Sequence, residues 1–251
     1  MDRVWDSYLT PDDIAIYAAA GYGARSVWGS RPALLVVDVN YNFVGESPMP
    51  ILQSIRTFRN SCGEAGWEAV HAIEQLLAAA RPAGVPVFYT TQQADARSTL
   101  VGGWGRKNSR VADDQDQERS AFGVRIVDEI APLSEDIVIV KDKPSAFFGT
   151  PLVSYLNELC VDTVVVAGGT TSGCVRASVI DAFSFNYTVV VVEEACFDRA
   201  PVSHAVNLFE IQAKYADVVP VADVVQYLST LGVDSPRTEA VAAKGDPAPT
   251  P

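Results

Sequence analysis

The strongest constraint on the fold is an alternation of short apolar runs with helical patterns along the chain. Runs that are apolar on both faces are typical of parallel strands covered by helices on either side. The alternation predicts an α/β fold, a doubly wound, Rossmann-like parallel sheet in a single domain, with the first strand near its centre. The predicted strands are Ala33–Val39, Val85–Thr90, Ile137–Lys141, Thr163–Val166, Thr188–Val192 and Asp217–Pro220.

Helical patterns lie between these strands, at Trp67–Ala80, Leu152–Leu159, Cys174 to about Phe185, Ser203–Tyr215 and Ala222–Leu231. Residues 1–30 are predicted to form an N-terminal arm with a short helix that begins after Thr10 and ends near Gly21. The apolar side chains of this arm must pack on the domain body or on a neighbouring subunit. Residues 31–233 form the predicted domain, and residues 234–251, rich in Pro, Ala and charge, are expected to be disordered.

Composition excludes several classes of function. A net charge of −12 argues against binding to nucleic acid or to an anionic membrane. The sequence has no apolar run of about 18 residues and no apolar signal core at its start, so we expect a cytoplasmic protein. Its 4 cysteines include no C-x-x-C pair and are expected to be free thiols, and 2 histidines argue against a His-rich metal site.

The stretch from Thr163 to Asp181 draws attention to Cys174, which lies where a Gly/Thr/Ser turn passes into a helical pattern. The first N–H groups of a helix are unpaired and its dipole is positive there, so this position is expected to lower the pKa of a thiol. The same N–H groups could hydrogen-bond an oxyanion on a substrate. The stretch predicts a nucleophile; the alternative is a small buried cysteine that packs under the turn.

Three reactive or charged residues end predicted strands: Asp38, Lys141 and Cys174. A parallel sheet brings such ends together at one edge. A carboxylate there can take the thiol proton and later return it to a leaving amine, while an ammonium keeps the carboxylate ionised and favours the thiolate. The trio therefore predicts attack on an amide or ureide carbonyl, without an imidazole.

Four segments carry a resemblance to a known family: Leu35–Asn40, Ile139–Lys141 with Ser145–Thr150, Gly169–Arg176, and Ala213–Val218. Across residues 33–222 the sequence resembles the isochorismatase-like cysteine hydrolases, and within them the N-carbamoylsarcosine amidohydrolase type. The resemblance implies a six-stranded parallel sheet with helices on both faces. It also implies that Asp38 is the base, Lys141 its electrostatic partner and Cys174 the nucleophile, with Lys143 competing for the lysine role.

The resemblance further implies a cis peptide bond between Gly169 and Thr170, which would direct backbone N–H groups, with that of Cys174, at the oxyanion. It assigns Arg199 to the substrate carboxylate; the alternative is a surface arginine paired with Asp198 or Glu194. It suggests that the loop of Trp104 and Lys107 closes over the substrate, although this loop could instead be mobile or form a subunit contact. It also suggests that Thr171 lines the pocket.

The sequence departs from the nicotinamidase branch, which places a metal-binding aspartate and two histidines after the first strand. None of these occur between Asn40 and Trp67, so we predict no metal and no cofactor. The predicted function is a cysteine-dependent amidohydrolase that cleaves a small carboxylated amide or ureide and releases ammonia. The alternatives are a vinyl-ether hydrolase of the isochorismatase type and a non-catalytic binding or scaffold protein. The arm and the family both suggest a homodimer or homotetramer.

Overall fold

The chain folds around one six-stranded parallel sheet with the strand order β3-β2-β1-β4-β5-β6. The computed structural model describes residues 3–93, 102, 103, 107 and 117–231. The strands are β1 Pro32–Val37, β2 Val87–Thr91, β3 Ile137–Val140, β4 Thr163–Gly169, β5 Thr188–Phe197 and β6 Asp217–Val219. The predicted fold class is confirmed, and β1 lies inside the sheet between β2 and β4.

Helices connect the strands and cover both faces of the sheet. Within the described ranges they are α1 Pro11–Ala19, α2 Tyr41–Val44, α3 Ile51–Ser54, α4 Glu64–Ala80, α5 Gln117–Gly123, α6 Leu152–Glu158, α7 Arg176–Ser184, α8 Pro201–Lys214 and α9 Val221–Leu231. Short 3-10 turns occupy Asp6–Tyr8 and Asp128–Ile130, and a π-helical turn occupies Thr171–Val175. α4 begins three residues before the predicted start at Trp67.

Two apolar cores, one on each face, hold the sheet between the helices. Alternate residues of β1 point to opposite faces, so Leu34 and Val36 join the core under α4 and α9, while Leu35 and Val37 join the core under α6, α7 and α8. All six residues of β1 are buried. This two-sided burial explains why the strand is apolar throughout and places its carboxyl end deep in the molecule.

β5 is longer than the sequence predicted, because it continues to Phe197 rather than ending at Val192. In the sequence-based prediction, Glu193 and Glu194 begin a loop. Glu193 is nearly buried instead, with its carboxylate paired with Arg3 at 2.9 Å and accepting the N–H of Val4. With this charge neutralised, the strand runs on through three buried apolar residues, Ala195, Cys196 and Phe197.

The N-terminal arm packs on the domain body. Its helix α1 has the predicted start, with a capping box between Thr10 and Asp13. The rings of Trp5 and Tyr17 contact Phe209 of α8, with centroid distances of 6.3 and 4.8 Å. The role of the arm in an oligomer stays a prediction, and residues 234–251 lie outside the described ranges. Among the described helices, none is long and apolar enough to cross a membrane.

Candidate active site

Asp38 lies directly after β1, fully buried and with a backbone φ of 52°. This left-handed conformation is uncommon for a residue with a Cβ and is held by its surroundings. The hydroxyl of Thr90, near the end of β2, donates to Oδ1 of Asp38 at 2.7 Å and accepts the Asp38 N–H at 3.1 Å. The carboxylate is therefore fixed in orientation, with its second oxygen directed elsewhere.

That second oxygen accepts a hydrogen bond from Lys141. Lys141 follows the edge strand β3, and its Nζ lies 2.7 Å from Oδ2 of Asp38 and 3.2 Å from the carbonyl oxygen of Lys143. Burial alone would lower the pKa of Lys141, but the adjacent carboxylate of Asp38, with a smaller contribution from Cys174, outweighs it and raises that pKa. Lys141 thus forms the ion pair, while Lys143 contributes a backbone carbonyl.

Cys174 lies in the π-helical turn Thr171–Val175, immediately before α7. Its neighbours Gly173 and Val175 both donate their N–H groups to the carbonyl of Thr170, which closes the turn around it. The thiol is buried, and the charges of Asp38 and Lys141 both act on its pKa. The structure therefore brings the three predicted strand-end residues together.

The protonation of Cys174 differs from the prediction. Burial, together with the charge of Asp38, raises the pKa of the Cys174 thiol to about 12, and Lys141 opposes this only in part. The prediction of a lowered pKa rests on the helix start and on the nearby ammonium, and it is wrong because burial and the charge of Asp38 raise the pKa by more than Lys141 lowers it. A thiol of this kind is neutral at pH 7 and needs a base beside it, a position that Asp38 occupies.

The carboxyl end of β4 approaches β1 very closely. Gly168 has a φ of 108°, and a Cβ built on it would lie 2.1 Å from the carbonyl oxygen of Val37. Only glycine is compatible with both conditions. One residue further on, the Gly169–Thr170 peptide bond is cis, as the family resemblance implied. This close approach places the turn of Cys174 beside the end of β1, where Asp38 lies.

Arg199 lies just after β5. Its guanidinium donates to the carbonyl oxygen of Asn60 and is centred 5.9 Å from the ring of Phe43. Its contact with Asp198 is made by the backbone N–H, at 2.8 Å, rather than by a side-chain ion pair. With Phe197 and His204, Arg199 lines a cavity of about 480 Å³, whose lining does not include Asp38, Lys141 or Cys174. Its role toward a substrate carboxylate stays a prediction.

The other predicted pocket residues are only partly described. Thr171 is buried, and its hydroxyl donates to the Phe197 carbonyl at 3.1 Å and lies 2.8 Å from Nδ1 of His204. These bonds connect the turn to β5 and α8. Lys107 is exposed, and Trp104 lies outside the described residues. Within the described ranges no cluster of three or more His, Cys, Asp or Glu side chains could hold a metal ion.

Sequence reasoning missed several residues that organise the site. Thr90 carried the same signal as Asp38, a polar side chain at the carboxyl end of an apolar strand, and could have been found. Ser178 accepts the N–H of Ala146 at 2.9 Å and donates to the Cys174 carbonyl at 2.7 Å. Asp198, just after β5, and His204 of α8 also hold the turn of Cys174. These three carried no periodic signal, because only the tertiary fold brings them to the turn.

The fold and this site define a class of hydrolase, and comparison with known proteins gives the family. The isochorismatase domain model matches residues 32–223, and the chain belongs to that family. A solved cysteine hydrolase from Pseudomonas syringae pv. phaseolicola 1448A superposes with a TM-score of 0.71 at 22% identity, covering 84% of this chain and 98% of that one. That likeness supports the fold.

Two curated relatives are amidohydrolases. The chain is 33% identical over 223 residues to an N-carbamoylsarcosine amidase from Arthrobacter sp., covering 86% of this chain and 78% of the relative. It is 34% identical over 215 residues to a maleamate amidohydrolase from Pseudomonas putida KT2440, covering 84% of this chain and 92% of the relative. The protein is thus an isochorismatase-like hydrolase with amidohydrolase relatives.

Proposed function

We propose that this protein is a cysteine-dependent amidohydrolase that cleaves the C–N bond of a small carboxylated amide or ureide and releases ammonia. One observation carries the proposal: Asp38 and Lys141 form a buried ion pair with an N–O distance of 2.7 Å, and both charges of this pair act on the buried Cys174 thiol. A buried thiol beside a carboxylate and an ammonium has a proton acceptor and a compensating charge. These are the two requirements for forming a nucleophilic thiolate away from water.

In the proposed reaction, Asp38 takes the thiol proton as Cys174 Sγ attacks the carbonyl carbon. The charge on the carbonyl oxygen is held by backbone N–H groups at the Gly169–Thr170 bond and at Cys174. The C–N bond breaks, and Asp38 gives its proton to the departing nitrogen, which leaves as ammonia. Water then attacks the thioester, or the carbamoyl thioester formed from a ureide, while Asp38 takes its proton. The C–S bond then breaks, the acid or carbamate leaves, and Asp38 returns its proton to Cys174 Sγ, which restores the thiol.

Lys141 has an electrostatic part in this cycle. Its ammonium stays charged, because the pKa of Lys141 is raised by Asp38 and Cys174 against the effect of burial. It therefore offsets the negative charge as that charge moves between the carboxylate and the sulfur. Arg199 is proposed to bind the substrate carboxylate, because a guanidinium can form two parallel hydrogen bonds to it. The two amidohydrolase relatives, named for N-carbamoylsarcosine and maleamate, support a substrate of this class.

The test is an ammonia-release assay over a panel of carbamoyl and amide acids, with N-carbamoylsarcosine and maleamate included. We expect the wild-type protein to release ammonia from at least one member, and mass spectrometry of the quenched enzyme to find an acyl or carbamoyl adduct on Cys174. Cys174→Ala should abolish both signals and leave the fold intact, with only a small fall in the thermal unfolding temperature, because it removes a single buried sulfur atom.

The matched control is Cys160→Ala, since this cysteine is exposed and precedes β4, whereas the turn of Cys174 follows the other end of that strand. It should retain full activity. Turnover by Cys174→Ala at the wild-type rate would disprove the proposal. Hydrolysis of a vinyl ether without ammonia release would favour the isochorismatase-type reaction instead.

A further inference from the structure

One carboxylate joins the turn of Cys174 to the proposed substrate-binding arginine. Asp198 follows β5 and is 8% exposed. Its Oδ2 accepts the N–H of Ser172 at 2.7 Å, and its Oδ1 accepts the N–H of Arg199 at 2.8 Å. Hydrogen bonds to an ionised acceptor are shorter and stronger than neutral ones, and both donors here are backbone groups. The Asp198 carboxylate, a single rigid group, therefore fixes the distance between the backbone of Ser172 and that of Arg199.

His204 of α8 holds the same turn at the preceding residue. The hydroxyl of Thr171 donates its only proton to the Phe197 carbonyl, so it accepts from Nδ1–H of His204 at 2.8 Å. Burial lowers the pKa of His204, while the charge of Asp198 acts in the opposite direction. The imidazole is therefore neutral at pH 7 and carries its proton on Nδ1, as this hydrogen bond requires.

We propose that Asp198 and His204 are positioning residues, which fix the turn of Cys174 and set its place relative to Arg199. The proposal rests on the function proposed above for Cys174 and Arg199. Two consecutive residues of the turn, Thr171 and Ser172, are each held by one of the pair. Neither positioning residue is assigned a contact with reacting atoms, so each acts through geometry. Small displacements of a nucleophile or a substrate clamp can lower rates by about 100-fold.

The first test does not depend on activity. Hydrogen–deuterium exchange of backbone amides is measured in the wild type, Asp198→Asn and Asp198→Ala. An amide side chain has one acceptor oxygen, so Asn keeps at most one of the two bonds and Ala keeps neither. We expect exchange across residues 170–175 and at residue 199 to rise at least about 10-fold in Asp198→Ala and less in Asp198→Asn, with α4 unchanged. Unchanged exchange in the turn, or an equal rise in α4, would overturn the proposal.

The second test separates kcat from KM on a carboxylated substrate that the wild type hydrolyses. Asp198→Ala should lower kcat by about 10- to 100-fold and raise KM. In an Arg199→Ala background it should lower kcat again but leave KM unchanged, because the arginine that it positions is gone. An additive effect on KM would contradict the link between Asp198 and Arg199. If the wild type hydrolyses no amide, the proposed function fails, and the exchange experiment still decides the structural role.

His204 has its own conservative variant. The side-chain amide of His204→Asn can place an N–H near the position of Nδ1, whereas His204→Leu has no donor. We expect Asn to recover most of the kcat that Leu loses, and equal losses in the two variants would overturn the role of His204. Asp223→Ala is the charge-matched control for Asp198, because Asp223 is exposed in the first turn of α9. It should change neither kcat nor exchange in the turn.

Discussion

At the scale of single residues, the site depends on one buried ion pair. The side chains of Lys141 and Asp38 are 2% and 0% exposed. Taking such a pair out of water costs free energy, so the intact pair adds little to stability. Loss of one partner is nevertheless strongly destabilising, since the other then remains buried and charged. The pair therefore affects both the stability of the sheet at the carboxyl ends of its strands and the protonation state of Cys174.

Lys141→Met tests this dependence, because methionine keeps the length of the side chain and removes its charge. We expect the free energy of unfolding in urea to fall by about 3–5 kcal/mol, and ammonia release to be lost. Lys214→Met is the matched control, since Lys214 forms a helical pair with Glu210 whose side chains are 31% and 25% exposed, and its loss should cost only about 0–1 kcal/mol. Similar losses for the two variants would contradict a special role for the buried pair.

Arg199→Ala tests the proposed carboxylate clamp. A hydrogen bond to a charged group contributes about 1.5–3 kcal/mol, so KM for a carboxylated substrate should rise by about 10- to 150-fold. A neutral amide of similar size should be little affected. Arg125→Ala, which removes an exposed arginine paired with Asp128, provides the control for a lost positive charge. Unchanged kinetics on the carboxylated substrate would refute the clamp.

At the scale of elements, the critical contact is that of β4 with β1. Gly168→Ala would place a methyl group against the backbone of Val37 as well as forcing a positive φ on alanine. Gly84→Ala has only the second defect, since φ is 65° there and nothing lies within 4 Å of the added Cβ. We expect Gly84→Ala to cost about 1–2 kcal/mol in urea unfolding. The loss of stability in Gly168→Ala should exceed that in Gly84→Ala by at least about 1–3 kcal/mol. Equal losses would show that the backbone of β1 can move to accommodate the methyl group.

The elements themselves follow well from sequence, and the reason is their pattern. Strands such as β1 are buried on both faces, so their apolar runs are visible directly, and the polar residues that end them, Asp38 and Lys141, stand out. The position where β5 ends could not be predicted from the local sequence, because the partners of Glu193 come from the N-terminal arm, far away in the chain. The protonation of Cys174 was missed for a similar reason, because burial is a property of the assembled fold.

At the scale of the whole molecule, three buried thiols couple stability to alkaline pH. Burial raises the pKa values of Cys62, Cys174 and Cys196 from about 9 to about 12. Between these values the unfolded chain loses these protons and the folded chain keeps them. Stability is therefore fully present below about pH 9 and falls as pH rises toward 12, by up to about 1.4 kcal/mol per pH unit for each thiol.

Urea unfolding under reducing conditions, measured in small steps from pH 8 to 10, checks this slope. Cys196→Ala should lower stability at every pH but flatten the slope by about one third, and Cys160→Ala, at an exposed position, is its control. The range ends at pH 10 because burial also raises the pKa of Tyr89, from about 10 to about 12. A slope that Cys196→Ala leaves unaltered would contradict the prediction.

The exposure of Cys160 also affects how assembly of the protein can be measured. Of the 4 cysteines, Cys160 is the one at the surface, so air oxidation during storage would act on it before the others. Two copies joined through Cys160 would have twice the mass in light scattering and would imitate the expected homodimer. A mass measured on Cys160→Ser, or with fresh reductant, reports the non-covalent assembly alone.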